Sequence, residues 1–141
     1  MGYRIPSEET LQEAVRRVLT RTGGAGSLTH LMELVVDELH RTDPTYRIGP
    51  VRLRRVASRM NALRTTIYTR RGNAKALQEH CPVCSATLVT VRNQSLTGGA
   101  VPLEARCPEC PYWSGRERRV PVRYTFALKQ WKFAKGSTGT P

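Results

Sequence analysis

Residues 81–84 read Cys-Pro-Val-Cys and residues 107–110 read Cys-Pro-Glu-Cys, and these two stretches decide the fold of the C-terminal half of the chain. A Cys-Pro-x-Cys element favours a tight turn that directs two sulfurs toward one point. Two such turns supply the tetrahedral set of four sulfurs that Zn²⁺ accepts. The predicted metal ligands are Cys81, Cys84, Cys107 and Cys110. Four protein ligands leave no open position for water or substrate, so we expect one structural Zn²⁺.

Two other uses of these cysteines stay open at this level. A rubredoxin-like iron site also uses two Cys-x2-Cys pairs, and a thiol switch could use them as well. The sequence also departs from many zinc knuckles, because Ser85 and Pro111 stand where Gly commonly follows the second cysteine. Zinc nevertheless remains the leading interpretation, because paired Cys-x2-Cys elements are typical of zinc sites.

The lack of signal-peptide and membrane-span patterns in the sequence restricts the expected compartment and partners. No signal-peptide-like apolar run opens the chain, and no stretch approaches the roughly 20 apolar residues of a membrane span. We therefore expect a cytoplasmic protein, associated with the nucleoid or ribosome, without a membrane partner. In that reducing compartment metal binding is favoured over disulfides.

Three amphipathic patterns precede the cysteines. Apolar spacing predicts a first helix over residues 7–21, and the glycine-rich residues 23–26 then break it. Ser27 can cap a second helix, which Asp43 and the following proline end. Pro50 suits the first position of a third helix, because the first amide of a helix has no internal partner.

Strands are predicted on both sides of the first cysteine pair. Residues 65–69 are β-branched and aromatic and residues 70–73 favour a turn, which predicts a hairpin, although residues 74–80 are also compatible with a helix. Three further strands, at 87–92, 101–106 and 120–126, are assigned to a ribbon around the cysteines, with Gly98 and Gly99 at a turn. We therefore expect an α+β protein with a winged helix-turn-helix domain of three helices plus a hairpin over residues 1–78. A zinc ribbon with a small antiparallel sheet is expected over 79–128, and a basic, aromatic tail over 129–141.

Positive charge is concentrated in one part of the chain. The formal net charge is +12, and residues 44–78 contain nine basic residues and no Asp or Glu. At 100° per residue, Leu53, Val56, Ala57 and Met60 fall on one face of the third helix. An arginine row, formed by Arg52, Arg55 and Arg59, falls on the opposite face. The predicted nucleic-acid contacts are Arg52, Arg54, Arg55, Arg59, Arg64, Arg70, Arg71 and Lys75. A general abundance of arginine, or a solvated helix face, is the alternative explanation.

The cysteine motifs and the segments that follow them resemble a known group of proteins. The motif over residues 107–115, CPECPYWSG, and that over 120–126, VPVRYTF, are similar to those of small archaeal proteins that join a winged helix to a zinc ribbon. That layout is similar to the α subunit of archaeal transcription factor E. The resemblance implies a DNA-associated role in transcription.

Three partner classes remain open. Duplex DNA is favoured, and the corresponding function is that of a transcription factor or regulator. RNA of the ribosome, bound by a structural protein, and RNA polymerase, bound by an adaptor module, are the alternatives. Trp131 and Phe133 alternate with lysines near the C-terminus, which suits base stacking or the covering of a small core. We expect neither enzymatic activity nor a small-molecule substrate, because the sequence contains no nucleophile elbow, phosphate-binding loop or zinc-protease motif.

Overall fold

A computed structural model describes residues 2–72, 78–94, 100–115 and 118–129 of the chain. This part of the protein is α+β, with three helices and two three-stranded antiparallel sheets. The helices are α1 (Glu8–Thr22), α2 (Leu28–Thr42) and α3 (Pro50–Ser58). The strands are β1 (Gly24–Ala25), β2 (Leu63–Arg71), β3 (Val89–Gln94), β4 (Ala100–Arg106), β5 (Trp113–Ser114) and β6 (Arg119–Leu128).

The ends of α1 and α2 follow from their capping residues, as the sequence predicts. The Ser7 side chain accepts a hydrogen bond from the Thr10 amide at the start of α1, and Ser27 does the same for His30 in α2. Gly23 ends α1 with φ at 85°, a left-handed conformation that costs glycine nothing. Each cap satisfies backbone groups that the helix itself cannot pair.

The third helix is shorter and presents the predicted apolar face. It begins at Pro50, which needs no hydrogen-bond partner for its nitrogen, and it ends at Ser58. Leu53, Val56 and Ala57 are buried, and Met60 is buried just beyond the helix. These side chains join those of α1, α2 and β6 in one apolar core, in which Phe126 is fully buried. Burying an aliphatic or aromatic side chain of this size contributes about 1.5–3 kcal/mol to stability.

The first sheet corrects two predictions from the sequence. β2 pairs antiparallel with β6, from Leu63 opposite Leu128 to Arg71 opposite Arg119, and β6 also pairs with β1. The local hairpin with its tip at residues 70–73 is therefore wrong, because β2 continues through Arg71 and its partner strand comes much later in the chain. The strand predicted at 120–126 exists, but it lies in this sheet rather than in the ribbon. Alternating apolar residues identify a strand without identifying its partner.

The second sheet surrounds the cysteines. β3 pairs with β4 and β4 with β5, which confirms that strands lie near the predicted 87–92 and 101–106. A second apolar cluster, formed by the cysteines with Val83, Leu88, Ala105 and Tyr112, lies beside this sheet. Tyr124 of β6 packs against both apolar clusters, and its ring stacks on Phe126 at 6.4 Å. β6 thus connects the core of the helices to the cysteine cluster.

Several predicted features lie outside the described residues. These are Lys75, Asn73 of the predicted turn, the glycine pair at 98–99, and the tail from residue 130 onward with Trp131 and Phe133. The residue boundaries 1–78, 79–128 and 129–141 stay predictions.

Candidate metal centre and basic surface

The four predicted cysteine ligands come together at one point. Sγ of Cys81 lies 3.5 Å from Sγ of Cys110, and Sγ of Cys84 lies 3.4 Å from Sγ of Cys107. All four sulfurs lie within 4.8 Å of one another. These separations are far longer than the disulfide length of about 2.05 Å, and the cysteines are free. Sulfurs about 2.3 Å from a central ion would be about 3.8 Å apart, so the cluster fits a single tetrahedral ion.

Backbone amides support two of the sulfurs. The Val83 amide donates to Sγ of Cys81 at 3.3 Å, and the Glu109 amide donates to Sγ of Cys107 at 3.4 Å. In each Cys-Pro-x-Cys turn, the donor is thus the residue that follows proline. Amide donors of this kind stabilise the thiolate form that binds a metal ion.

Ser85 takes the conformation that glycine often supplies after a zinc knuckle. Its φ is 72°, and its amide donates to the Cys81 carbonyl at 2.9 Å. The chain then returns, and the Cys81 amide donates to the Ala86 carbonyl at 2.8 Å. A left-handed serine stores strain of about 1 kcal/mol. The first knuckle therefore keeps its turn despite lacking glycine.

The thiols differ strongly in acidity before a metal binds. The hydrogen bond that the Cys110 thiol donates lowers the pKa of Cys81 to about 5 and raises the pKa of Cys110. Burial raises the pKa of Cys84 to about 11. Cys81 is therefore the most acidic of these three thiols, and metal binding would displace the protons of Cys84 and Cys110.

The site is closed around its ligands. Cys81, Cys84 and Cys107 are buried, and Cys110 is half-buried. Four protein sulfurs complete the coordination of an ion such as Zn²⁺ and leave no position for a substrate. The arrangement therefore fits a metal that holds the fold together.

Arg54, one of the predicted nucleic-acid contacts, connects α3 to the first knuckle. The guanidinium Nε of Arg54 donates to the Val83 carbonyl at 2.9 Å, and the Arg54 side chain is half-buried. The knuckle residue Val83 is fully buried. Arg54 thus satisfies a buried backbone acceptor next to the cysteine cluster.

The predicted arginine row on α3 divides between inward and outward roles. Arg52 is half-buried and donates to the Pro6 carbonyl at 2.6 Å, which anchors the N-terminal segment. Arg55 and Arg59 are exposed, and Arg59 donates to the Arg55 carbonyl at 3.1 Å. The outward part of the row therefore consists of Arg55 and Arg59.

Further exposed arginines lie on β2. Arg64, Arg70 and Arg71 are all exposed. Arg64 joins Arg59 and Lys129 along a cavity of about 290 Å³ that opens beside Cys110. The structure therefore brings Arg59, just beyond α3, and Arg64 of β2 to one cavity next to the second knuckle, which Glu109 also lines.

Carboxylates neutralise the arginines of α1 and α2 but not those of α3. Glu38 pairs with Arg21 at 3.1 Å, and Glu13 pairs with Arg16 at 3.2 Å. Within the residues that the structure describes, Arg55 and Arg59 form no ion pair with a carboxylate. The charges of Arg55 and Arg59 therefore remain available to an external anion.

The sequence analysis did not single out the basic residues that β6 contributes. The guanidinium of Arg119 lies 4.3 Å from the centroid of the Trp113 ring, and a cavity of about 350 Å³ opens beside this pair. Arg118, Arg70 and Arg71 also line that cavity. Arg118, just before β6, and Arg119 and Arg123 within it were visible in the sequence, but assigning β6 to the ribbon separated them from β2.

Two further searches, for membrane-spanning helices and for similar proteins, gave negative results. No helix among those residues is long and apolar enough to cross a membrane. Comparisons of the chain with protein-family models, with curated proteins and with solved structures found no match.

Proposed function

We propose that this protein binds one structural Zn²⁺ and contacts duplex DNA through α3 as a transcription factor or regulator. The observation that carries the proposal is the charge imbalance: α1 and α2 pair their arginines internally, whereas Arg55 and Arg59 have no carboxylate partner among the described residues. Unpaired basic side chains on a helix are suited to a polyanion, because they release condensed counterions from phosphates.

The topology supports this choice of partner. Three helices, with β1 between α1 and α2 and a sheet ordered β1-β6-β2, are compatible with a winged helix-turn-helix in which β2 and β6 would form the wing. In that arrangement the cysteine-bearing segment, as a zinc ribbon, is inserted into the wing. The last helix of such a unit enters the major groove, where arginine can pair with guanine or contact phosphate. Arg55, on α3, and Arg59, its C-cap residue, are four residues apart and lie on the same side of the helix.

The resemblance to archaeal winged-helix and zinc-ribbon proteins supports a role in transcription. Zinc is the metal that best suits four thiolates in a closed tetrahedral site, and iron is the alternative. Metal analysis of the purified chain is expected to find one zinc per protein. A coloured, iron-containing protein would contradict the zinc assignment.

Fluorescence anisotropy with a labelled 20-base-pair duplex tests DNA binding. If about six phosphates are neutralised, log affinity should fall against log salt with a slope near −5. The double variant Arg55→Ala/Arg59→Ala should weaken binding and reduce that slope by about two. Arg16→Ala/Arg17→Ala is the matched control, because it removes the same charge from the ion-paired surface of α1.

Two results would count against the proposal. One is a zinc-loaded protein that ignores the duplex at low salt. The other is an equal loss of affinity in the α3 and α1 variants, which would indicate attraction to net charge alone. A double-stranded RNA of the same length, included in parallel, distinguishes the ribosomal alternative, because A-form RNA hides its major groove from a helix.

A further inference from the structure

One face of the first sheet is turned away from both apolar clusters. Side chains alternate along β2, so Leu63 and Thr65 are buried while Arg64, Thr66, Tyr68 and Arg70 are exposed. Because Arg123 lies directly opposite Tyr68 in the register, these two residues share that face. The outer face of the sheet therefore consists of cationic, hydroxyl and aromatic side chains.

An aromatic ring at the centre of this face is held in position. Tyr68 is 48% exposed. The Arg123 guanidinium lies 5.5 Å from the ring centroid, and Arg123 also donates to the Gly26 carbonyl at 3.1 Å. The cation is thus fixed to the loop before α2 and in turn orients the ring. The exposed part of the ring remains accessible to a ligand.

The charged residues of β2 and β6 all have the same sign. Neither β2 nor β6 contains an Asp or Glu. Arg64, Arg70 and Arg123 form no ion pair with a carboxylate within the described part of the chain. Arg70 lies two residues from Tyr68 on the same face, a separation of about 7 Å along the strand. A ligand that stacks on Tyr68 therefore meets cations on either side.

We propose that the outer face of the β1-β6-β2 sheet binds an unpaired nucleic-acid strand. One base stacks on Tyr68, and the flanking phosphates contact Arg64, Arg70 and Arg123. A duplex does not fit this role, because its base faces are covered by neighbouring bases, whereas an unpaired strand offers them to an aromatic side chain. The inference deepens the proposed function and depends on it only for nucleic acid as the partner class.

Fluorescence anisotropy with labelled dT12 and U12 oligonucleotides and the 20-base-pair duplex tests this surface on the full, zinc-loaded chain. Tyr68→Ala should weaken binding of the single strand by about fivefold or more, which is the lower end of the range for losing one base–aromatic stack. Tyr68→Phe should stay within about twofold of the wild type, because stacking needs the ring and not the hydroxyl. Duplex binding should be unchanged in both variants. The stronger of the dT12 and U12 complexes identifies DNA or RNA as the source of the strand.

Control variants keep the failure of this inference separate from failure of the proposed function. Arg55→Ala should weaken the duplex complex more than the dT12 complex. If Tyr68→Ala binds dT12 as the wild type does, or loses duplex affinity to the same extent, the stacking surface is refuted while duplex binding by α3 still stands. If the wild type binds no nucleic acid at all, both proposals fall. Thermal unfolding checks that Tyr68→Ala folds, and Tyr68→Leu, which keeps apolar bulk without an aromatic ring, replaces it if it does not.

Discussion

Substitution of Arg54 can distinguish a structural role from a nucleic-acid contact. The sequence places it among eight residues expected to contact DNA, whereas the structure directs its Nε to the Val83 carbonyl at 2.9 Å. Arg54→Ala leaves that buried acceptor without its donor. Arg55→Ala, at the next position on the same helix, removes an equal charge from an exposed side chain.

The expected magnitude follows from the burial of the acceptor. A hydrogen bond from a charged donor contributes about 1.5–3 kcal/mol, and losing it leaves a desolvated carbonyl unpaired. We therefore expect Arg54→Ala to lower the free energy of unfolding by about 2 kcal/mol. Arg55→Ala should stay within about 0.5 kcal/mol of the wild type, as exposed substitutions usually do.

Urea unfolding of the zinc-loaded proteins, followed by circular dichroism, measures this difference. With an m-value of about 2 kcal/mol/M, the Arg54→Ala midpoint should fall by about 1 M. The order should reverse in DNA affinity, where Arg55→Ala has the larger effect. Equal stability of the two variants, together with a greater loss of DNA affinity in Arg54→Ala, would refute the anchoring role and restore the interpretation from sequence.

Three further outcomes are expected. Ser85→Gly should raise the free energy of unfolding by about 1 kcal/mol in urea titration, because glycine tolerates φ of 72° without strain, and a loss of stability would contradict this. Hydrogen bonds from Thr45 hold the pKa of Asp43 below its ordinary value of 3.8. The ionised Asp43 carboxylate therefore stabilises the fold above that value, and this stabilisation disappears as pH falls through the folded-state pKa. The wild type should therefore be more stable than Asp43→Asn at pH 6, with a smaller difference at pH 2.5; a gap that does not narrow argues against the assignment. Excess chelator at pH 7 should release zinc, detected colorimetrically, and unfold the segment around the cysteines while the α1–α3 core persists, since that segment has few apolar side chains without its metal; unchanged near-ultraviolet dichroism would refute this.

The sequence was a good guide wherever structure depends on neighbours along the chain. Ser7 and Ser27 each cap a helix by accepting a hydrogen bond from an amide three residues later. The spacing within each cysteine pair sets the geometry of a turn. The partner of β2 was not predictable in the same way, because residues 65–69 are compatible with pairing to any strand of similar alternation. The contact between Arg54 and Val83 was not predictable for a related reason, since the two residues are 29 positions apart.

The residues of the candidate nucleic-acid surfaces were also only partly predictable from the sequence. The exposed positions of Arg55 and Arg59 follow from helical periodicity alone. The outer sheet face does not, because Tyr68 and Arg123 become neighbours only through the register of β2 and β6. Residues on neighbouring strands of a sheet can be far apart in sequence, so local composition does not reveal that they are neighbours. This cluster could therefore be identified only from the structure.

Because the chain leaves the first sheet at Arg71 and re-enters it at Arg119, folding speed depends on the segment between them. The unfolded chain must close a loop of roughly 50 residues before these strands can meet, at an entropic cost that grows with the logarithm of loop length. An ion that already bridges the two cysteine pairs shortens the free path to roughly 20 residues and saves about 0.8 kcal/mol. Early capture of the ion should therefore speed completion of a sheet that contains none of its ligands, by roughly fourfold.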